Sequence, residues 1–299
     1  MSLLVVGSIA YDTIETPTAR VEDSLGGSAL YFSAAASLFT PVNVVGVVGS
    51  DFDASKISFL KKRGVNFDGL YMESGKTFRW GGRYFDDMNK RETLFTYLNV
   101  FERFQPVIPE HYQKAEFVFL ANIDPELQLE VLKQIENPKL IVLDTMNFWI
   151  SGKRKKLEEV LAYTDIIVLN DEEVREITGE NGLIKAARAI PQMGPKSVIV
   201  KKGEHGAMLY HEEEFFFVPA FPLENVVDPT GAGDSFAGGF MGFLAKAQTL
   251  DLPTLKKAIV YGSTIASFNV EDFSFKRLEK IKMKEIKERV KLFKKMTAF

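Results

Sequence analysis

The 299-residue sequence contains no cysteine, which excludes disulfide bonds, thiolate metal ligands and cysteine nucleophiles. Its three histidines, His111, His205 and His211, lack the spacing of a metal site, and we expect each at the surface. No apolar run approaches the ~20 residues that a membrane span needs. The N-terminus also lacks the basic segment of a signal peptide. We therefore expect a soluble, cytoplasmic protein with no membrane partner.

A strong net charge is also missing. The formal charge of −3 provides no electrostatic reason to expect nucleic acid as a partner. The C-terminal segment 276–298 interleaves lysine with glutamate, which favours a solvated helix over a nucleic-acid-binding arm. With 46% hydrophobic and 26% charged residues, the composition is typical of one large globular domain, which at this length can bury a substantial core.

Six short apolar runs alternate with helical patterns along the chain. Continuous apolarity over a run indicates a strand buried on both faces, as in a parallel sheet covered by helices. Strands and helices in this alternating order predict an α/β fold with a doubly wound, mostly parallel sheet flanked by helices. The six runs are 3–10, 42–49, 116–122, 139–145, 165–171 and 196–203.

Residues 77–100 break this alternation with two β-rich runs separated by a polar turn, which predicts an antiparallel hairpin. Together with residues 11–33, we expect the hairpin to form a small β-sheet that projects from the main domain. Alternation places Arg79 and Trp80 on opposite faces, so either an arginine or an aromatic ring faces a pocket. The remaining segments, 1–10, 34–76 and 101–299, form the α/β core.

The stretch VVDPTGAGDSFAGGF, residues 226–240, places glycines and a carboxylate where an apolar run changes into a helical pattern. Gly231 and Gly233 allow the backbone to approach a ligand and to adopt positive φ. The free N–H groups of the first helical turn then form an anion site. Asp234 would repel a resting phosphate, but it suits a base that takes a proton from an attacking hydroxyl. A helix cap alone would also account for Asp234.

The string D-P-T-G-A-G-D-S-F resembles the C-terminal signature of the ribokinase-like, or PfkB, family of carbohydrate kinases. Other landmarks of that family follow in the expected order over essentially the whole chain. The resemblance implies an ATP-dependent kinase that transfers the γ-phosphoryl group to a hydroxyl of a sugar, with Asp234 as the general base. It also implies that the backbone of Gly231, Ala232 and Gly233 forms the anion hole.

The resemblance further assigns roles around the phosphates. Asp228 and Thr230 would shape the loop, and in some members the residue equivalent to Asp228 helps to hold a monovalent cation, K⁺. The stretch NDEE, residues 170–173, resembles the family's N-x-x-E motif, which implies that Asn170 and Glu173 lie near Mg²⁺, largely through water. A helix cap followed by a first-turn acid is a competing explanation of the same two residues.

The nucleotide side of the site is implied by two further stretches. In VIVKKGEHGA, Gly203 and Gly206 match the points where the backbone approaches the nucleotide. Lys201 replaces the family's usual threonine there, and it is either a phosphate contact or a surface lysine. In YGSTIASFNVE, residues 261–271, small residues such as Ser263 match those that border the adenine.

The acceptor side is less well defined. Asp12 matches an acid that binds substrate hydroxyls in the family, and Gly26 and Gly27 match its Gly-Gly element, where the backbone meets the sugar. Tyr31 stands where members that phosphorylate ribose usually carry asparagine, which leaves the identity of the acceptor open. Tyr31 and Arg79 complete the expected acceptor-binding residues.

Two alternatives stay open. The first is a nucleoside (adenosine-type) kinase of the same family, because Tyr31 and Trp80 could stack a base. The second, from another class, is a non-catalytic nucleotide-binding sensor, although a sensor has no need of a base at Asp234.

In the family the small sheet is a lid that excludes water from the acceptor, and in many members two lids pack together. We therefore expect lid closure and a homodimer formed through the lid.

Overall fold

The computed structural model of the protein describes residues 2–298. Its strands are β1 Leu3–Val6, β2 Ala10–Glu15, β3 Arg20–Gly26, β4 Val42–Gly49, β5 Val65–Glu73, β6 Phe78–Tyr84, β7 Arg91–Tyr97, β8 Phe117–Leu120, β9 Leu140–Asp144, β10 Ile166–Asn170, β11 Ser197–Lys201, β12 Ala207–His211 and β13 Glu214–Val218. Its α-helices are α1 Ser28–Ala36, α2 Ser58–Lys62, α3 Pro125–Leu132, α4 Asn147–Gly152, α5 Arg154–Leu161, α6 Asp171–Thr178, α7 Leu183–Ala189, α8 Ala232–Ala247, α9 Leu252–Asn269, α10 Lys276–Lys280 and α11 Met283–Thr297.

Nine strands form the main sheet, in the order β13-β12-β11-β10-β9-β8-β1-β4-β5. Neighbouring strands from β11 to β5 are parallel, whereas β12 and β13 join antiparallel at one edge. The six predicted strands all lie in this sheet, as β1, β4, β8, β9, β10 and β11. The prediction of an α/β fold with a mostly parallel sheet is confirmed.

Both faces of this sheet are buried. Leu3 and Val5 of β1 belong to the hydrophobic cluster that also contains residues of α1, α8 and α9. Leu4 and Val6 belong to a second cluster, which contains residues of α3 and α5. Because successive side chains of a strand point to opposite faces, a strand covered on both sides needs an apolar residue at every position.

The helices differ in part from the prediction. The C-terminal segment 276–298 is two helices, α10 and α11, because the backbone is extended at Ile281 (φ −67°, ψ 150°). Among residues 2–298, none of the helices combines the length and the apolar character required to cross a bilayer.

A separate four-stranded sheet, the lid, has the order β3-β2-β6-β7. Strands β2 and β6 are parallel, and the other two pairs are antiparallel. The lid boundary predicted at residue 33 needs correction, since β3 ends at Gly26 and α1 follows at Ser28. Every residue of α1 is buried, so this helix is part of the core; an apolar surface around its whole circumference requires covering on all sides.

The parallel strands position polar side chains at one edge of the main sheet. Asp144, Asn170 and Lys201 are the last residues of β9, β10 and β11. Because neighbouring parallel strands end at the same edge, these residues lie side by side, and Asn170 pairs directly with Lys201. The carboxyl edge of a parallel sheet is where open α/β folds bind their ligands.

Candidate active site

The glycine-rich loop leads into α8 through Gly231, which has φ +73°. A Cβ atom at this position would lie 2.2 Å from the ring of Tyr31, so both the backbone conformation and the space require glycine. The amide of Ala232 donates a hydrogen bond to the carbonyl oxygen of Pro229 at 3.1 Å. Within residues 2–298, the amides of Gly231 and Gly233 have no protein acceptor. Two of the three amides predicted for the anion hole are therefore available to a ligand.

Side chains behind the loop hold its shape. Asp228 is fully buried; its Oδ1 accepts from the amide of Thr230 at 2.8 Å, and its Oδ2 accepts from the amide of Ser274 at 3.1 Å. Asn269 of α9 donates to the carbonyl oxygen of Thr230 at 2.8 Å and accepts from Ser235 of α8 at 3.1 Å. These bonds link the loop to α8 and α9 and explain why the sequence needs polar residues in a buried position.

Asp234 lies in the first turn of α8 and is partly open to solvent. Desolvation of the carboxyl and the neighbouring charge of Asp144 raise its pKa to about 7, although Lys201 and Arg91 act in the opposite direction. A carboxylate whose pKa lies near neutral pH is well matched to accepting a proton from a hydroxyl.

Lys201 enters the cluster from β11, with its Nζ 3.6 Å from Oδ1 of Asp144. A Cβ atom on Gly233 would lie 2.9 Å from the same Nζ, so the ammonium group lies directly beside the glycine loop. Burial acts to lower the pKa of Lys201, but Asp144, Glu173 and Asp234 together hold it above its usual value. The ammonium group therefore stays charged beside the glycine loop, with 20% of the Lys201 side chain exposed; its role as a phosphate contact stays a prediction.

Asn170 and Glu173 form a capping box at the start of α6. The Asn170 side chain accepts from the Glu173 amide at 2.8 Å, and Oε2 of Glu173 accepts from the Asn170 amide at 2.7 Å. Burial raises the pKa of Glu173 to about 7, against the charge of Lys201, and Asp144 adds to the rise. Oε1 of Glu173 has no hydrogen-bond partner within residues 2–298, so the cap leaves one carboxylate oxygen for a ligand.

Asp12 of β2 faces the same cluster from the lid side. Desolvation, followed by the charges of Asp228 and Asp234, raises its pKa well above the usual range. A Cβ atom on Gly26 would lie 1.8 Å from Oδ2 of Asp12, so this glycine makes room for the carboxyl group. Gly27 has φ +92° and precedes α1 with its backbone against Ser8. In this structure Gly26 leaves room for the carboxyl group of Asp12, and Gly27 forms the turn into α1.

Tyr31 is fully buried, with its ring edge-to-face against Phe275 at 5.6 Å. Its hydroxyl group has no hydrogen-bond partner within residues 2–298. Burial, together with Asp228 and Asp12, raises its pKa well above the usual value. A buried hydroxyl group without a partner lowers the stability of the folded protein. The hydroxyl group of Tyr31 is therefore available to hydrogen-bond with a bound ligand.

Four predicted residues lie outside this cluster or have other partners. Arg79 is on the lid face opposite Asp12 and forms ion pairs with Asp23 and Asp51. Gly203 lies against Asn89 at the tip of the β6–β7 hairpin: a Cβ atom on Gly203 would lie 2.2 Å from Oδ1 of Asn89. Gly206 is held in the turn between β11 and β12 by a hydrogen bond from Lys202 to its carbonyl oxygen. Ser263 is buried in α9, and no hydrogen bond within the described residues ties it to the cluster.

Four residues join the site that the sequence interpretation did not select: Tyr84, Arg91, Asp144 and Asn269. Tyr84 accepts a hydrogen bond from Oγ1 of Thr230 at 3.1 Å, which attaches the lid to the glycine loop. Asp144 was signalled by its place at the end of an apolar run, because polar residues there reach the carboxyl edge of the sheet. The positions of Tyr84 and Arg91 depend on lid register, for which the sequence carries no such signal.

Within residues 2–298, no three His, Asp or Glu side chains come together as a ready metal cage. The acids of this site instead interact through their charges: Asp144 raises the pKa of Asp234 and of Glu173, Asp234 raises that of Asp12, and Lys201 lies beside Asp144. This arrangement combines an available base, open backbone amides and a fixed cation. It can bind an anion and deprotonate a neighbouring hydroxyl at once.

Comparison with known proteins agrees with this chemistry. A sequence model described as "pfkB family carbohydrate kinase" matches residues 2–278. A cytidine kinase of Thermococcus kodakarensis is 29% identical over 84% of this chain and 91% of its own length. A nucleoside kinase of Methanocaldococcus jannaschii is 26% identical over 87% of this chain and 82% of its own length.

The fold is also shared with solved structures. A protein from Escherichia coli, provisionally described as ribokinase II and crystallised with ATP and Mg²⁺, superposes with a TM-score of 0.78. It is 20% identical, and the match covers 97% of this chain and 99% of that one. From the family match over nearly its whole length, the chain belongs to the pfkB family of carbohydrate kinases, phosphotransferases that act on a hydroxyl group of a sugar or a nucleoside.

Proposed function

We propose that the protein is an ATP- and Mg²⁺-dependent kinase that phosphorylates a hydroxyl group of a nucleoside. The observation that carries the proposal is the position of Asp234, whose carboxyl lies at the head of α8 beside two unengaged loop amides. A base next to an anion site is what phosphoryl transfer to a hydroxyl requires.

The residues present fit a bound triphosphate. Residues 231 and 233 are glycines, so no side chain covers the loop backbone; a Cβ atom there would meet the ring of Tyr31 or the Nζ of Lys201. The ammonium group of Lys201 stays charged beside the loop. The free oxygen of Glu173 would hold Mg²⁺ largely through water, since this ion keeps several waters and takes few protein ligands. When bound, Mg²⁺ reduces the negative charge of the phosphates.

Each side chain then has a distinct task. Asp234 takes the proton of the acceptor hydroxyl, and Asp12 binds neighbouring hydroxyl groups of the acceptor. The amides of Gly231 and Gly233, with Lys201, carry the charge of the phosphoryl group as it moves. The lid covers the site and limits hydrolysis by water.

A nucleoside is favoured as the acceptor by two observations. The two relatives named above are a cytidine kinase and a nucleoside kinase. In addition, Trp80 shares the lid face of Tyr84, towards the glycine loop, and an indole ring there can contact a base. A small sugar is the second candidate, because Gly82 and Arg91 already contact the Trp80 ring and leave less of it for a base.

The experiment is ADP release with ATP, Mg²⁺ and a panel of acceptors: cytidine, uridine, adenosine, ribose, fructose and none. We expect kcat/KM for a nucleoside to exceed that for ribose by about 10²-fold. Phosphorus NMR of the product identifies the hydroxyl that is modified. A preference for ribose or fructose would replace the nucleoside with the sugar, and ATP binding without turnover for any acceptor would favour the sensor.

Two further predictions carry over as proposals. A K⁺ ion near Asp228 would have to share carboxylate oxygens that already accept backbone hydrogen bonds, so we expect activity to change by less than about tenfold between Na⁺ and K⁺.

The homodimer would form through the lid face that carries Phe95 and Tyr97. The two rings stack at 4.9 Å, and Tyr97 is 56% exposed. Light scattering at micromolar concentration tests this assembly.

A further inference from the structure

Residues 49–53, the anchor loop, begin at the last residue of β4 and lie against the chain that enters the lid hairpin. A Cβ atom on Gly49 would lie 2.4 Å from the carbonyl oxygen of Gly75, so the two backbones are in direct contact. The amide of Ser50 donates a hydrogen bond to the same carbonyl oxygen at 3.0 Å. The anchor loop is therefore packed against the base of the lid.

Asp51 of the anchor loop holds the residue that precedes β6. Its Oδ1 accepts from the amide of Thr77 at 2.7 Å and from Oγ1 of Thr77 at 2.6 Å. Thr77 is fully buried, and its Oγ1 also accepts from the amide of Gly49 at 3.0 Å. The chain that leaves the lid meets the same residue, since Nδ2 of Asn99 donates to the carbonyl oxygen of Thr77 at 2.9 Å. The two ends of the hairpin are thus tied together at Thr77.

The other carboxylate oxygen of Asp51 reaches the lid sheet itself. Oδ2 accepts from Arg79 of β6 at 3.3 Å. Arg79 pairs directly with Tyr11 of β2, and its guanidinium group lies 5.2 Å from the centre of the Tyr11 ring. The hydroxyl group of Tyr11 accepts from the amide of Asp53, also in the anchor loop, at 3.0 Å. The anchor loop therefore holds two neighbouring lid strands by the same face.

The opposite face of these two strands carries residues of the site. The next residue along each strand is Asp12 in β2 and Trp80 in β6, and these two also pair directly. Because successive side chains of a strand project to opposite faces, both point away from the anchor loop. Any displacement of the anchored face is therefore passed on to Asp12 and Trp80.

The carboxyl group of Asp51 is charged at neutral pH. Desolvation acts to raise its pKa, but the hydrogen bonds from Thr77, and then Arg79, hold it below its usual value. Hydrogen bonds to a charged acceptor are roughly twice as strong as neutral ones. The attachment of the lid to Asp51 should therefore persist at the pH of a kinase assay.

We propose that Asp51 is a positioning residue for the acceptor: it fixes β2 and β6 from behind and so sets where Asp12 and Trp80 lie relative to the glycine loop. This inference rests on the proposed kinase function. It makes Arg79 a link between the anchor loop and the lid. A misplacement of about 1 Å that originates far from the chemistry can cost ~10²-fold in rate.

The kinetic test compares Asp51→Ala with Arg83→Ala as a matched control. Arg83 lies on the same strand and face as Arg79, but its ion-pair partners, Glu15 and Glu92, belong to the lid itself. We expect Asp51→Ala to raise the acceptor KM about tenfold and to lower kcat/KM for the acceptor by ~10²-fold. The KM for ATP should stay within about threefold, because the glycine loop belongs to the core. Arg83→Ala should change each constant by less than about twofold.

A double-mutant cycle tests whether the effect passes through Arg79. Asp51→Asn keeps an oxygen for Thr77 but lacks the charge that pairs with Arg79. Asp51→Asn and Arg79→Ala should each lower kcat/KM for the acceptor by about three- to tenfold, and the double variant should lose no more than the weaker single variant. Losses that add in the double variant would contradict the link.

A third readout needs no ligand. The chain has two tryptophans, so in a Trp149→Phe background the fluorescence reports on Trp80 alone. Asp51→Ala should shift the emission to longer wavelength and increase quenching by acrylamide, because a displaced lid exposes the indole ring to water. Arg83→Ala should leave both unchanged.

The outcomes separate the two claims. A wild type that turns over ATP with an acceptor, and an Asp51→Ala variant with acceptor constants within about threefold of it, would overturn the role of Asp51 and leave the kinase standing. Equal losses for ATP and for the acceptor, or an unchanged Trp80 emission, would show a purely structural role and contradict the inference. If Asp51→Ala does not fold in a urea titration, Asp51→Asn and the double variant decide. A wild type without turnover on any acceptor would overturn the proposed function, and this inference with it.

Discussion

Replacement of Asp234 by asparagine removes the base and keeps the size of the side chain. Because the loop amides and Lys201 stay in place, we expect ATP affinity to change by less than about threefold. The rate should fall much further, since a positioned base contributes ~10²–10⁴ to kcat. At 1.36 kcal/mol for each factor of ten, this loss is about 2.7–5.4 kcal/mol of transition-state stabilisation.

The pH dependence gives this substitution a second signature. With a pKa of about 7, Asp234 is increasingly protonated below neutral pH, where it can no longer accept a proton. We expect kcat/KM of the wild type to fall about tenfold for each pH unit below this pKa, and Asp234→Asn to lack this acid limb.

Asp234→Asn should lower the rate but raise the stability of the folded protein. A raised carboxyl pKa means that the folded state holds the proton more tightly, so the stabilising contribution is complete below the ordinary value near 3.8 and is lost as the pH rises through about 7. The full shift corresponds to about 4 kcal/mol. Because Lys201 and Arg91 lose a partner, we expect Asp234→Asn to raise the free energy of unfolding at pH 8 by only about 1–2 kcal/mol.

The assays are steady-state kinetics from pH 5.5 to 9, calorimetric ATP binding and urea unfolding at pH 5 and 8. Asp251→Asn is the matched control, because Asp251 caps α9 through the Thr254 amide and is exposed. It should leave kcat and its pH profile unchanged. An Asp234→Asn protein that keeps kcat within about tenfold of the wild type, with its acid limb intact, would refute the assignment of the base.

Three further substitutions test the rest of the site. Gly231→Ala forces a side chain into a left-handed backbone conformation and against the ring of Tyr31, so urea unfolding should show a loss of about 2–4 kcal/mol, and an unchanged midpoint would contradict the loop geometry. Lys201→Met leaves Asp144 without its cation, and we expect kcat to fall by ~10²-fold and the free energy of unfolding by about 3 kcal/mol; activity near that of the wild type would exclude the phosphate contact. Tyr31→Phe removes a buried hydroxyl that lacks a partner, so the ligand-free protein should gain about 1 kcal/mol. The acceptor KM of this variant should rise by about tenfold, and an unchanged KM would mean that the hydroxyl does not contact the acceptor.

The sequence was sufficient for the main sheet because its signal is local. A strand such as Val42–Gly49 is apolar throughout, and only burial on both faces accounts for that pattern. The glycine loop was equally readable, since Gly231 is required by its own backbone conformation. The start of α1 was missed, because an apolar helix and a buried strand look alike over a few residues.

Local sequence patterns predict the strands of the lid but not which face of the lid meets the site. The hairpin was predictable from two β-rich runs around a polar turn, and alternation correctly separated Arg79 from Trp80. Which of these two faces the site depends on how the lid is attached, and the structure turns Arg79 towards Asp23 and Asp51. A register shift between Gly81 and Gly82 then sets which residues of β7 share the inner face, and Arg91 is one of them.

From its sequence alone, the protein is determined to be a parallel α/β fold with an anion-binding glycine loop and an acid at the head of the next helix. These features follow from burial, backbone conformation and hydrogen bonding within a few residues. Tertiary structure alone decided that Asp144, Lys201 and Arg91 surround Asp234 and bring its pKa to about 7. Charges act through space, and residues 91, 144, 201 and 234 become neighbours only when the strands, the lid and α8 have packed together.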